Sequence, residues 1–293
     1  MTEQKLLTQQ ELIKKHRVRW KKSLGQNFLQ DTSYISPIIN AARLSKDQIV
    51  LEIGPGLGAL TSHLAKVAGQ VIGIELDYDL AKILQQIFAQ EENVTIYQGD
   101  ALKADYQIYL LEAAQKGNYQ PGFVMVANLP YYITTPLILR FLEGPWPWQR
   151  QVIMVQKEVA ERMAAQPGGK DYGALSVAVQ YRAAVSQVCL VPPTAFIPPS
   201  GVDSAVVTLE RLSEPPVNVA DEKAFFAVVK AAFGQRRKTL HNSLASGSLG
   251  LEKQTAALWL ESCGIDKTRR GETLSLAEFA ALANSLPQLK KKE

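Results

Sequence analysis

Short, nearly continuous apolar runs recur along the first half of this chain, at Ile49–Ile53, Val71–Glu75, Val94–Gln98, Phe123–Asn128 and Val152–Gln156. Such runs predict strands buried on both faces, because a half-exposed strand would alternate apolar and polar positions. Between them lie stretches with helical spacing, such as Leu60–Val67 and Leu80–Phe88. The alternation predicts an α/β fold, a mostly parallel, doubly wound sheet with helices on both faces. Thr135-Pro136 reads as an N-cap followed by a first-turn proline, so a helix is expected directly after Tyr131. The pattern then changes. Val185–Val191 and Ala205–Leu212 predict an antiparallel pair joined by the stiff, proline-rich segment from Pro192 to Gly201. Beyond a linker, Glu214-Pro215-Pro216-Val217-Asn218, only helical periodicity remains, at Asp221–Phe233, Lys238–Leu244, Thr255–Cys263 and Leu276–Asn284. Two domains are therefore expected, residues 1–213, opening on a polar helix or arm up to about residue 25, and residues 214–293, a small helical domain.

A length of 293 residues with 46% hydrophobic content suffices for one large core and a smaller second one. No apolar stretch approaches the roughly 20 residues of a membrane span. The first residues lack the apolar core of a signal peptide, and Glu3 and Glu11 argue against a transit peptide, so a cytoplasmic protein is expected. Cys189 and Cys263 stand far apart without a CxxC partner and read as buried thiols. His16, His63 and His241 form no metal-ligand spacing, so no metal is expected. No exposed apolar face demands a partner, which points to a monomer. The net charge of +4 is too small to imply nucleic acid, but its distribution changes the picture. Lys14, Lys15, Arg17, Arg19, Lys21 and Lys22 crowd around Trp20, Arg236, Arg237 and Lys238 form a second cluster, and Lys290, Lys291 and Lys292 a tail. Separated basic clusters suit a surface that tracks phosphates, although each alone also fits a solvated face.

The chemistry concentrates where strands end. In open parallel sheets, ligands sit outside the carboxyl ends of the strands. Gly54, Gly56 and Gly58 follow the first strand with GxGxG spacing rather than the GxGxxG of dinucleotide enzymes. Glu75 ends the second strand, placed to accept bonds from ribose hydroxyls, and Asp100 follows the third, placed to bind an adenine amine. An adenosine-type cofactor is expected, and these acids alone do not separate S-adenosylmethionine from NAD. Glu52 suits either an acceptor for an ammonium group or a structural bond under the loop. Asn128-Leu129-Pro130-Tyr131 ends the fourth strand. An exocyclic adenine nitrogen is a poor nucleophile, since its lone pair is delocalised into the ring. The Asn128 side-chain oxygen and the Leu129 carbonyl can accept its hydrogens, Pro130 fixes the turn, and Tyr131 can stack on a flipped base, worth roughly 1–3 kcal/mol. The two loops together suggest methyl transfer to a base.

These motifs, with Lys22-Ser23-Leu24-Gly25-Gln26-Asn27-Phe28-Leu29, Phe196-Ile197-Pro198-Pro199-Ser200-Gly201-Val202-Asp203-Ser204 and Phe233-Gly234-Gln235-Arg236-Arg237-Lys238-Thr239-Leu240, occur in the order found in the KsgA-type small-subunit rRNA adenine dimethyltransferases, which the chain resembles over nearly its whole length. The resemblance implies a Rossmann-like methyltransferase sheet in residues 1–213 and an rRNA-binding role for the helical residues 214–293. It implies that Asn27 and the Leu29 backbone contact S-adenosylmethionine beside Gly54, Gly56, Glu75, Asp100 and Asn128, and that Phe196 covers the target base opposite Tyr131. Arg236, Arg237 and Lys238, with Lys21 and Lys22 of the arm, would hold rRNA phosphates. The implied substrate is a pair of adjacent adenosines in the 3′ hairpin of 16S rRNA, within the immature small subunit. Ser200 stands where the family commonly has a further proline, which bears on the stiffness of that loop. Resistance methyltransferases acting on 23S rRNA are a related reading, but they typically have isoleucine in place of Leu129. A non-catalytic rRNA-binding assembly factor and an NAD-dependent dehydrogenase are the readings from other classes.

Overall fold

A computed structural model of the chain describes residues 8–21, 24–235 and 237–286. The basic tail at Lys290, Lys291 and Lys292 lies outside the described residues. Among them, the strands are β1 (Phe28–Leu29), β2 (Ile49–Ile53), β3 (Gln70–Glu75), β4 (Val94–Gln98), β5 (Phe123–Asn128), β6 (Trp148–Gln156), β7 (Ala183–Val191), β8 (Phe196–Ile197) and β9 (Ser204–Arg211). The helices are α1 (Gln9–His16), α2 (Ile35–Ala42), α3 (Thr61–Val67), α4 (Tyr78–Ile87), α5 (Tyr106–Ala114), α6 (Thr134–Glu143), α7 (Lys157–Ala164), α8 (Ala174–Arg182), α9 (Glu222–Phe233), α10 (Leu240–Ser246), α11 (Lys253–Ser262) and α12 (Leu276–Asn284). None of these helices is long and apolar enough to cross a membrane.

Seven strands form one sheet in the order β4-β3-β2-β5-β6-β9-β7. From β2 to β6 all neighbours are parallel, and β9 joins β6 antiparallel. Every residue of β2 and β3 is buried, as the unbroken apolar runs require. On one face Val50, Val71, Val124, Val126 and Val152 pack against Ile35, Ile38 and Leu64 from α2 and α3. Each such side chain contributes roughly 1.5–3 kcal/mol by leaving water. The chain moves outward from β2 to β3 and β4, then returns to lay β5 on the other side of β2. The loops after β2 and β5 therefore part, opening a crevice at their carboxyl ends.

The expected strands are present, with β6 longer than its apolar run. Its first half, Trp148-Gln149-Arg150-Gln151, breaks the apolar run, yet Arg150 and Gln151 pair with Glu210 and Leu209 of β9, and Arg150 Nε makes a cross-strand ion pair with Glu210 Oε1 at 2.5 Å. The start of α6 also differs from expectation. A single 3-10 turn at Tyr131–Ile133 leads directly into it, Ile133 is the N-cap, and Thr135-Pro136 falls inside the first turn. The Thr134 hydroxyl, not that of Thr135, bonds backward to the Pro130 carbonyl at 3.2 Å.

The chain divides into two compact units, Met1–Ala160 with Val185–Arg211, and Glu161–Ala184 with Leu212–Glu293. The second unit is helical, with Phe225, Leu240, Leu244, Trp259, Leu260 and Phe279 at its core. Tyr172, Val177 and Tyr181 belong to that core as well, so residues 161–184, expected in the first domain, pack with the helices beyond residue 212. Their amphipathic signal is weak because α8 is buried nearly all round, at Leu175, Ser176, Val177, Ala178, Val179 and Tyr181.

Candidate active site

The crevice is a cavity of about 1000 Å³, counting its open mouth, lined by residues 24–29, the turns after β2, β3 and β4, and Asn128 to Ile133. Gly54 and Gly56 adopt φ of 67° and 62°, backbone that favours glycine. A Cβ on Gly54 would meet nothing nearer than the Asn128 carbonyl oxygen at 3.9 Å, so its backbone is bare toward the cavity. A Cβ on Gly56 would approach the Phe28 ring to 3.0 Å, and residue 56 must stay small for the arm to close over the loop.

Glu75 ties the loop to the next strand. Its Oε2 accepts the Gly56 N–H at 3.0 Å and its Oε1 the Asp77 N–H at 2.9 Å. Burial pushes its carboxyl up to about 7, against the pull of those two donors. Glu52, 1% exposed, accepts the Thr61 hydroxyl at 2.6 Å and so sits beneath the first turn of α3. Burial pushes it up to about 8, the Thr61 bond opposing and the Glu75 charge adding. Asp100 closes a tight turn by accepting the Leu102 N–H at 2.9 Å, and the preceding Gly99 N–H donates to the Glu75 carbonyl.

At the end of β5 the Asn128 amide donates through Nδ2 to the Asn27 carbonyl at 3.1 Å. That bond fixes which way the amide faces and leaves Oδ1 as an acceptor. The Leu129 side chain is buried and its N–H donates to the Met154 carbonyl in β6 at 3.2 Å, so the strand is pinned up to the turn. The Pro130 carbonyl accepts the Ile133 N–H at 3.1 Å. The Tyr131 hydroxyl meets Ser204 Oγ, the first residue of β9, at 2.9 Å. The Tyr131 ring is thereby tethered through its hydroxyl to the start of β9.

The arm from residue 24 to 29 is braced rather than draped. Gln26 Nε2 donates to Asp77 Oδ2 at 2.8 Å, while Gln26 Oε1 accepts the Lys21 N–H at 2.8 Å. Lys21 Nζ completes the knot with Asp77 at 2.7 Å and Asp79 at 2.9 Å. Burial opposes the charge on Asp77, but the bonds from Lys21 and Gln26 outweigh it and hold the carboxyl below its usual range. Phe28 and Leu29 then pair antiparallel with Ile197 and Phe196 as a two-stranded ribbon.

With this geometry in view, a family model described as ribosomal RNA adenine dimethylase matches residues 17–288. The chain belongs to the ribosomal RNA adenine dimethylase family. The curated protein named ribosomal RNA small subunit methyltransferase A from Bacillus mycoides (strain KBAB4) is 46% identical over 278 residues, 94% of both chains. The protein of the same name from Bacillus cereus (strain AH187) is also 46% identical over 278 residues. Among solved structures, a dimethyladenosine transferase from Plasmodium falciparum superposes with a TM-score of 0.72 at 28% identity, covering 87% of this chain and 95% of that one. The 23S rRNA methyltransferase ErmE gives 0.64 at 27% identity, covering 89% and 99%.

Of the residues the dimethylase motifs single out, Asn27, Leu29, Gly54, Gly56, Glu75, Asp100, Asn128, Leu129, Pro130 and Tyr131 all line the one cavity. Phe196 does not. It is 3% exposed and packs with Leu29, Val191 and Ala195, because both the Gln30 and Asp31 N–H groups bond the Ala195 carbonyl and draw β8 down onto the sheet core. The base-covering position expected for Phe196 is thus corrected to a core position. Lys21 is likewise committed to Asp77 and Asp79 rather than presented to a phosphate. Lys22 and Arg236 lie outside the described residues, and Arg237 and Lys238 are exposed in the turn before α10. Ser200 does not loosen its loop, since its hydroxyl donates to the Val202 carbonyl at 2.6 Å. Tyr132, 53% exposed, lines the cavity beside Gly25, and only its place next to Tyr131 could have marked it in sequence.

Proposed function

We propose that this dimethylase transfers methyl groups from S-adenosylmethionine to the N6 amines of two adjacent adenosines in the 3′-terminal hairpin of 16S rRNA, during small-subunit maturation in the cytoplasm. One observation carries the reading: Asn128, Leu129 and Tyr131 line the same cavity as the glycine turn, Glu75 and Asp100. The residues present fit the cofactor. Glu75 and Asp100 suit ribose hydroxyls and the adenine amine, and the bare backbone at Gly54 leaves room for the methionine arm. No lysine or arginine lines the cavity among the described residues, and Glu52 already sits under the first turn of α3. A pyrophosphate would find no cationic side chain there to offset its charge, which disfavours NAD.

S-adenosylmethionine, when bound, supplies an electrophilic methyl group. The protein's share is positional. Asn128 Oδ1 and the Leu129 carbonyl accept the two amine hydrogens and favour a pyramidal nitrogen with its lone pair directed at the methyl. Tyr131, backed by Ser204, holds the base plane. Exposed Arg237 and Lys238 support a phosphate-binding role for the helical unit.

The test is transfer of labelled methyl to purified small subunits lacking the modification, followed by nucleoside analysis of the 3′ hairpin. Dimethyladenosine at both positions is expected, and Asn128→Ala should lower the rate by roughly a hundredfold or more. Label appearing only in 23S rRNA would reassign the substrate, and an Asn128→Ala rate equal to wild type would sink the mechanism.

A further inference from the structure

The cavity is walled by three acidic side chains, Glu52, Glu75 and Asp100, and among the described residues by no cationic side chain. S-adenosylmethionine nevertheless brings a carboxylate of its own on its amino-acid arm, which needs hydrogen-bond donors. The side-chain amides of the lining, with one exception, each already donate a bond within the protein. Gln26 Nε2 is bonded to Asp77, Asn27 Nδ2 to the Gly25 carbonyl and Asn128 Nδ2 to the Asn27 carbonyl. Gln9 is the exception. It lines the cavity and is only 8% exposed, and its side chain has no hydrogen-bond partner among the described residues.

Gln9 is also held still. It is the first residue of α1, whose Thr8–Glu11 capping box closes at both ends, with the Glu11 N–H donating to Thr8 Oγ1 at 3.2 Å and the Thr8 N–H to Glu11 Oε2 at 2.7 Å. Leu12, one turn on, is buried with Phe28, Leu57 and Leu80, which joins α1 to the arm, the glycine turn and α4 at once. On its other flank Gln10 Nε2 donates to Gln30 Oε1 at 3.2 Å. A helix fixed by three packing partners thus brings one uncommitted amide residue to the lining of an acidic cavity.

We propose that Gln9 is a cofactor-contacting residue, its amide donating to the carboxylate of the amino-acid arm, with α1 as a wall of the cavity. The inference rests on the cofactor reading above. Titration calorimetry on the full chain with S-adenosylhomocysteine and with 5′-methylthioadenosine, which has the same nucleoside and thioether but no amino-acid arm, tests it. Gln9→Ala should weaken S-adenosylhomocysteine about tenfold or more, as for a lost bond to a charged group, and leave 5′-methylthioadenosine unchanged. Gln9→Glu, which sets like charges together, should weaken S-adenosylhomocysteine further. Equal losses for both ligands, or none for either, would overturn the assignment. Tighter binding by Gln9→Glu would also overturn it, because the arm's ammonium would then be the group at that wall. If the wild-type chain bound neither compound, the cofactor reading itself would fall, an outcome distinct from a normal wild type with indifferent variants.

Discussion

Glu52 and Glu75 retain their protons in the folded chain at pH values where the unfolded chain has lost them. The native state then binds more protons than the unfolded one, so stability is greatest in the usual carboxylate range and falls as pH rises toward 8. Each pH unit of such displacement corresponds to roughly 1.4 kcal/mol, which makes Glu52 a cost on the order of a few kcal/mol at pH 8. Glu52→Gln keeps an acceptor for Thr61 and removes the charge. Thermal melts should show the variant more stable than wild type at pH 8 and nearly equal at pH 5; parallel curves would mean that Glu52 ionises freely. At Tyr131 the question is coupling. Tyr131→Phe and Ser204→Ala should each cost about 0.5–1.5 kcal/mol in denaturant melts, and the double variant no more than one of them. Additive losses would show that the bond between the hydroxyls contributes nothing. Tyr131 was legible in the sequence because it stands in a motif. Ser204's partnership with that ring was not legible, since a bond spanning 73 residues leaves no local trace.

The central parallel strands were legible because burial on both faces writes itself as an apolar run, and β2 and β5 begin and end where those runs do, whereas the edge strand β4, also found at its expected bounds, buries only Ile96. The ribbon of β1 and β8 was not, since two residues per strand carry no period. Neither was the seating of α1, whose charged residues suggested a solvated or phosphate-facing arm while Leu12, with the partly buried Ile13 beside it, anchors it to the core of that region. The same holds for Lys21: its charge was plain, but not that Asp77 and Asp79 lie within reach. Asp77 is the hub of this arm, receiving Lys21 and Gln26 together. Asp77→Asn substitutes a donor for one acceptor and sets it against two donors. Amide exchange across residues 24–29 should accelerate by about tenfold, the equivalent of one good hydrogen bond. Affinity for S-adenosylhomocysteine should fall with it. Unchanged exchange would show that the β1–β8 pairing alone secures the arm.

At the scale of the whole chain, the composition shift near residue 214 marked the linker but not the full membership of the helical unit, because α8 is wrapped in apolar side chains and shows no polar face. Tyr181 stacks on Phe225 with ring centroids 4.8 Å apart, and Tyr172 meets Phe233 edge-on at 6.0 Å. A fragment of residues 214–293 would expose those faces, and such voids cost roughly 3–5 kcal/mol per large aromatic. The fragment should therefore lack a cooperative melt by circular dichroism, whereas one that also carries residues 161–184 should regain it. A sharp transition in the shorter fragment would show that the helices beyond 212 need no help. The place of β9 between β6 and β7 has a further consequence for a chain made from its N-terminus. β6 and β7 are both synthesised before the strand that joins them. Until Arg211 has emerged, β6 offers a row of unpaired backbone groups on its outer side, an edge of the kind that recruits strands from other chains. The order of synthesis, rather than the finished architecture, thus sets when this protein is most exposed to aggregation.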